Sequence, residues 1–399
     1  MAPSDTISTA SPISMSSPDL TDEERQAVAR VMATPSLSMG NQITLFEESV
    51  STFTGSKHAI GVSSGTAGLH LCVKAAGIGP GDLVITTPFS FVASSNVLLY
   101  EGAAPVFVDV EPRTGNIDPY LVFAAAQDIM QGGRSAQAWL PPKGASSDAK
   151  LKAILPVDVF GQPADLELIL NTAWKYKLKV IEDSCEALGA TYKGHNAGTL
   201  GDYGVFGFYP NKQITTGEGG MIITDDEDAA LFMRALRNQG RAPGDTWLQH
   251  THLGYNYRLD ELSAALGIAQ MKRLDELIAK RDRVANWYNE RLSELPGVEP
   301  PQIAAYTTRV SWFVYVVRFA TGLDRNAIAR RLGERGIPAR PYFLPIHLQP
   351  YMVERFGYQE GAFPVTEDLG RRGLALPFSG VMEEGQVERV YQALREVIV

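Results

Sequence analysis

The chain has 399 residues, 45% hydrophobic and 20% charged, with a formal net charge of −9 from 36 Lys+Arg against 45 Asp+Glu. That length points to about two domains at ~150 residues each. The acidic balance, without any basic run, argues against nucleic acid or an anionic membrane surface as partner. Cys72 and Cys185 are the only cysteines; they support no disulfide framework and fit a reducing, cytoplasmic setting.

The N-terminal MAPSDTISTASPISMSS lacks a basic n-region and an apolar h-region, and it reads as a flexible polar tail over residues 1–17. Order is expected from LTDEERQAVARVM, where Thr21 and Glu24 form a capping box. From Lys57 to Thr224, short β-rich runs alternate with helical segments. The runs are AIGVSS, DLVITTPFSF, APVFVDV, LKAILPVDVF, LKVIEDS, YGVFGFY and GGMIITD. Between them lie TAGLHLCVKAAG, FVASSNVLLYEG, DPYLVFAAAQDIM and DLELILNTAWKYK. This alternation predicts an α/β domain with a mostly parallel seven-stranded sheet between helices. Gly132 to Asp148 reads as a Gly/Pro/Ser-rich surface insertion. The longest uncharged stretch, Leu83 to Tyr100, carries Pro88, Asn96 and five Ser/Thr side chains, which rules out a lipid-facing helix.

Past Leu253 the character changes. RLDELSAALGIAQMKRLDELIAKRDRVANWYNERLSEL is a long amphipathic helical stretch that leads out of the first domain. A strand (RVSWFVYVVRF), a helix (DRNAIARRLGERG), a Pro-rich loop (PARPYFLPIHLQPYM) and a terminal helix follow. The predicted division is therefore 18–252 for a large domain and 253–399 for the linking helix and a smaller α+β domain. GxGxxG after a strand, GxxxxGK[ST], HExxH and paired CxxC are all absent. His250 and His252 have no third ligand nearby, so no metal is assigned.

Three segments fall at predicted carboxyl ends of strands, where open α/β sheets build their sites. In VSSGTAGLHL, the amides of Gly65, Thr66 and Ala67 and the Thr66 hydroxyl sit at a helix start and suit a phosphate. The same cluster also reads as an ordinary helix cap. In KVIEDSCEALGA, Asp183 is a partly buried carboxylate that needs a cationic partner, such as a protonated pyridine nitrogen, or else is a helix N-cap. In YGVFGFYPNKQITTGEGG, Lys212 ends an aromatic, uncharged run. It is a poorly solvated amine suited to nucleophilic work, or a lysine that snorkels to the surface. Phosphate cradle, Asp and Lys in this order match the three handles of pyridoxal phosphate.

VSSGTAGLHL, GPGDLVITTPFSFVASSN, PVFVDV, IEDSCEALGA, FYPNKQITTGEGGMIITDD, LGYNYRLDELSAALG and RPYFLPIHLQP together resemble the DegT/DnrJ/EryC1/StrS aminotransferases. The likeness implies an aspartate-aminotransferase-like fold (PLP fold type I), a homodimer with shared active sites, and amination of a nucleotide-linked keto-deoxy sugar, with glutamate as donor. It further implies that Lys212 carries pyridoxal 5'-phosphate as a Schiff base and that Asp183 partners its pyridinium nitrogen. Thr66 and Ala67 resemble phosphate contacts, and Phe91 matches the ring-stacking aromatic. Asn256, or Arg258 two residues on, matches the region that reaches the neighbouring subunit's phosphate. Tyr209 resembles a pocket-wall residue, and Trp312 and His347 resemble positions near the sugar. Two departures stand out: Gly207 replaces a frequent serine, and Glu186 replaces a frequent glutamine facing the cofactor's phenolic oxygen. A dehydratase of this fold would carry histidine in place of Lys212, and a DNA-binding regulator would need a basic patch that is missing.

Overall fold

The computed structural model describes residues 13–146 and 148–398. The tail reading over residues 1–12 lies outside the described residues. Ile13, however, is buried in the core of the smaller domain, and the Met15 carbonyl accepts the Phe378 amide at 2.9 Å. The chain is thus anchored before residue 17: two apolar side chains in PISM find a hydrophobic surface. Thr21 and Glu24 form the capping box of the helix Asp22–Met32.

The first strands are β1 (His58–Val62), β2 (Asp82–Thr86), β3 (Ala104–Phe107), β4 (Lys150–Leu155), β5 (Lys179–Asp183), β6 (Thr191–Tyr192) and β7 (His195–Asn196). They are followed by β8 (Tyr203–Gly207), β9 (Gly220–Thr224), β10 (Val298–Glu299), β11 (Thr307–Arg309), β12 (Tyr315–Phe319) and β13 (Gly373–Leu376). The main sheet has seven strands in the order β1-β9-β8-β5-β4-β2-β3. β9 is antiparallel to β1 and β8, and every other neighbouring pair is parallel. All seven runs read from the sequence are strands of this sheet.

Both faces of the sheet are covered, which is why its strands are apolar throughout rather than alternating. Along β9, Ile222 packs into one core while Met221 and Ile223 pack into another on the opposite face. The parallel strands bring the carboxyl ends of β1, β5 and β8 to one edge of the sheet. Among the described residues, no helix is long and apolar enough to cross a membrane.

The long helical stretch is two helices, Glu261–Lys272 and Leu274–Leu292, broken at Arg273. Arg273 bonds Asp19, Glu24 and Glu276 there. Burial would raise the Glu24 carboxyl, but bonds from Thr21 and Arg273 pull it down to about 2. The smaller domain holds the antiparallel sheet β10-β12-β13, with the terminal helix Glu384–Ile398 in its core. The expected strand RVSWFVYVVRF is shorter than its pattern: only Tyr315–Phe319 is strand. Upstream, the Ser311 and Phe313 amides bond the carbonyls of Gly161 and Phe160 in the large domain instead of a strand neighbour.

The helix Asn41–Thr54 has no side-chain cap of its own. Glu261 supplies one from across the fold, Oε2 accepting the Gln42 amide at 2.7 Å and Oε1 the Ile43 amide at 3.4 Å. Local sequence offers no signal for such a cap. Glu261→Ala leaves two helix-start amides unpaired beside a side chain only 2% exposed. It is expected to cost about 2 kcal/mol, read as a lower urea midpoint. A midpoint equal to the parent's would show that the cap is energetically idle.

Candidate active site

The sequence at the ends of β1, β5 and β8 builds one cavity of about 770 Å³. Beyond β1, Ser64 caps the helix Gly65–Ala75, its Oγ accepting the Ala67 amide at 3.1 Å. That leaves the Gly65 and Thr66 amides without an acceptor among the described residues, and both residues line the cavity. Ala67 does not: it is buried and its amide is taken by Ser64. The contact expected from Ala67 therefore competes with this cap. A Cβ on Gly65 would lie 2.7 Å from Cys185 Sγ, so only glycine allows the helix start this close to β5.

Asp183 ends β5 with 5% of its surface exposed. Oδ2 accepts the Ser94 hydroxyl at 2.6 Å and Oδ1 the Cys185 amide at 3.2 Å. Among the described residues it forms no ion pair. Burial pushes the neighbouring Cys185 thiol up, so it packs as a neutral group. A Cβ on Gly207 would sit 3.3 Å from Cys185 Cβ, so the cysteine crowds that position.

Lys212 lies in the connection from β8 to β9. Its amide bonds the Tyr209 carbonyl at 2.9 Å, and the Thr215 hydroxyl and Thr216 amide both bond the Phe208 carbonyl at 3.0 Å. Gly217, at φ +82°, turns the chain back toward β9 in a conformation that disfavours a side chain. Lys212 Nζ stands 3.7 Å from the Phe313 ring centroid and 3.6 Å from Glu186 Oε1. The other Glu186 oxygen accepts the Phe160 amide at 2.9 Å. Burial raises the Glu186 carboxyl, against the pull of Lys212 and Phe160.

Phe91 and Tyr209 line the cavity mouth, 64% and 53% exposed. Phe91 touches no other described ring, so its face is open to one. The structure does not bring Trp312, His347 or Asn256 into this lining. Trp312, at φ +44°, turns its ring onto Tyr315 in the small-domain core, and the next residue, Phe313, faces the cavity. His347 is fully buried against Glu367 at 3.0 Å, in a cluster with Phe363. Burial pushes its pKa down. Both side chains, expected near the sugar, thus pack away from this cavity. Asn256 is exposed and bridges Asn238, whose Oδ1 also accepts Arg258 Nη1 at 3.1 Å. Sequence reasoning missed Ser94, Phe313, Arg340 and Tyr342, all in the lining. They lie inside segments already singled out, at positions that only the tertiary fold distinguishes from their neighbours.

Residues 18–395 match the model of the DegT/DnrJ/EryC1/StrS aminotransferase family. The chain belongs to that family. It is 39% identical over 391 residues to the GDP-perosamine synthase of Caulobacter vibrioides, covering 97% of this chain and 98% of that protein. It is 34% identical over 384 residues to the UDP-N-acetyl-3-dehydro-alpha-D-glucosamine 3-aminotransferase of Acidithiobacillus ferrooxidans, covering 95% of each. The crystal structure of S. venezuelae DesV superposes with a TM-score of 0.85 at 30% identity, over 97% of this chain and 98% of that one. The protein is therefore a PLP-dependent aminotransferase with the fold of its family. The residues present fit that cofactor: open amides and a hydroxyl at a helix start for phosphate, a buried carboxylate with no cation among the described residues, and an amine, all lining one cavity.

Behind Asp183 lie two more buried carboxylates. Asp158 Oδ2 accepts the Ser184 hydroxyl at 2.6 Å, and Glu182 accepts the amides of Gly198 at 3.0 Å and Leu200 at 2.7 Å. Burial pushes Asp158 up to about 8, and the charges of Glu182 and Asp183 push the same way. Burial pushes Glu182 up to about 7 despite its amide bonds. A carboxyl whose folded pKa is raised stabilises the fold fully below its unfolded pKa, about 4. That contribution is lost as pH rises through the folded values. The thermal midpoint should therefore fall as pH rises from about 4 to about 8, and Asp158→Asn should flatten the fall. Equal slopes for parent and variant would mean Asp158 holds no proton at neutral pH.

Proposed function

We propose that this aminotransferase moves an amino group from glutamate to the ketone of a nucleotide-linked keto-deoxy sugar, in two half-reactions at one site. The observation that carries the reading is Lys212, Asp183 and the open amides of Gly65 and Thr66 around a single cavity. The names of the two curated relatives support the substrate class, and since one sugar rides on GDP and the other on UDP, they leave the base open. A volume of about 770 Å³ lies in the range of small-molecule sites.

Pyridoxal phosphate bound here would supply an aldehyde and an electron-accepting ring. Gly65 and Thr66 would hold its phosphate, and Phe91 would lie on its ring face. Asp183 would keep the ring nitrogen protonated, with Ser94 and the Cys185 amide fixing the carboxylate's orientation. Lys212 Nζ removes the donor's α-proton and returns a proton to the sugar carbon, acting as base and then acid. The Phe313 ring and the Glu186 carboxylate guide that amine. Tyr209 forms the wall on the substrate side. Asn256 and Arg258, outside their own chain's cavity, complete the site of a second copy in a two-fold dimer.

The purified protein should be yellow, and borohydride reduction should fix the cofactor on Lys212. Peptide mapping checks this, and a label on another lysine would sink the assignment. Lys212→Ala should abolish amino transfer.

Sharing of sites is tested by mixing a Lys212→Ala chain with an Asn256→Ala, Arg258→Ala chain. Random exchange makes half the dimers mixed, each with one intact site, so activity should return to about a quarter of the parent's. No recovery after demonstrated subunit exchange would count against sharing.

A further inference from the structure

Arg281 lies on the helix Leu274–Leu292, which leads from the large domain into the small one. Only 3% of it is exposed, and it forms no ion pair with a described residue. Its Nη1 donates to the carbonyls of Trp312 at 3.0 Å and Phe313 at 3.3 Å. Its Nη2 donates to the carbonyls of Asn211 at 3.1 Å and of Lys212. Burial pushes its pKa down to about 10, which leaves it cationic at neutral pH.

A buried cation with no carboxylate beside it is costly, and an apolar side chain of similar volume fills such a space without that cost. Packing alone therefore does not account for an arginine. What the guanidinium adds is a rigid planar fork able to hold several carbonyls at fixed angles. The four carbonyls belong to two segments: Asn211 and Lys212 in the large domain, Trp312 and Phe313 at the entry to β12. The Phe313 ring is the surface over which Lys212 Nζ stands at 3.7 Å. One side chain thus grips the main chain under the amine and the main chain under the ring that carries it. Gln213 ties the same seam, its Nε2 donating to the Ser311 hydroxyl at 3.0 Å and to the Glu186 carbonyl at 2.5 Å.

We infer that Arg281 is a positioning residue for amino transfer: it locks the Lys212 main chain to the small-domain segment at Phe313, so the seating of the two domains sets where the amine stands. This rests on the assignment of Lys212 above. A shift of ~1 Å in a reacting group costs on the order of 10²-fold in rate, so a slackened lock should show in the chemical step. Lysine keeps the charge but lacks the fork, and glutamine keeps a planar amide but is short and neutral.

The test uses the full-length protein loaded with pyridoxal phosphate, as parent, Arg281→Lys and Arg281→Gln. L-glutamate is the probe, and the first half-reaction is followed in single turnover by the cofactor's absorbance. Both variants should bind the cofactor fully, yet lose about 10- to 100-fold in saturating rate. The half-saturating glutamate concentration should stay within about threefold, because ground-state binding is untouched. The visible circular dichroism of the bound cofactor should weaken, since that signal reports a fixed orientation. A lower thermal midpoint with unchanged saturating rate and unchanged dichroism would overturn the inference. So would failure of both variants to fold, which would make Arg281 purely architectural. A parent protein that carries no cofactor on Lys212, or does not react with glutamate, would instead sink the proposed function.

Discussion

The burial of Asp183 without a cation is the constraint around which the rest of this molecule is arranged. A carboxylate at the end of a central strand, 5% exposed, demands either proton or positive charge. The protein supplies two donors, Ser94 and the Cys185 amide, and leaves the remaining side facing a cavity. Asp158 and Glu182 deepen the demand from behind, since three buried carboxyls close together cannot all ionise cheaply. Burial raises the pKa of both Asp158 and Glu182, so the two carboxyls beside Asp183 are poorly disposed to carry charge themselves. In the proposed reaction the charge of Asp183 is matched by the protonated ring nitrogen of the cofactor.

The second organising feature is the seam between the domains. The chain around Asp158 to Gln162 runs along it: the Phe160 amide binds Glu186, and the carbonyls of Phe160 and Gly161 bind the small-domain amides of Phe313 and Ser311. A Cβ on Gly161, already at φ +88°, would lie 2.8 Å from the Trp312 nitrogen, so the two main chains touch directly. Lys212 stands at this seam rather than inside one domain. Its ring support comes from the small domain and its backbone from the large one, so the cavity exists only when both are packed together.

The family likeness and the geometry bear on different questions. The match over residues 18–395 makes the chain a PLP-dependent aminotransferase, and the close superposition on DesV supports the same fold. Neither says which side chains of this chain face the cavity. The cavity shows Phe313 in place of Trp312 at its wall, His347 sealed in a core, and Cys185 filling the space beside Gly207. These are differences of one residue or one rotation, and they decide which side chains are near enough to act.

The sequence by itself determined the seven strands of the main sheet, because a covered parallel strand must be continuously apolar and turn residues mark its ends. It also marked the glycine-rich helix start at Gly65, Asp183 and Lys212 as candidates, because each follows a strand that hands over to a loop or turn. What it left undecided depends on contacts between distant segments. The helix Asn41–Thr54 is capped by Glu261, 219 residues from Gln42, and no local pattern announces that. The expected strand around Trp312 gives way to an inter-domain contact whose hydrogen-bond partners, Phe160 and Gly161, are remote in sequence. Ile13 and Met15 look like part of a polar tail until the small-domain surface that buries them is present. Local periodicity records which residues want to be buried. Only the tertiary structure decides against what, and so which neighbour of a recognised residue faces the cavity.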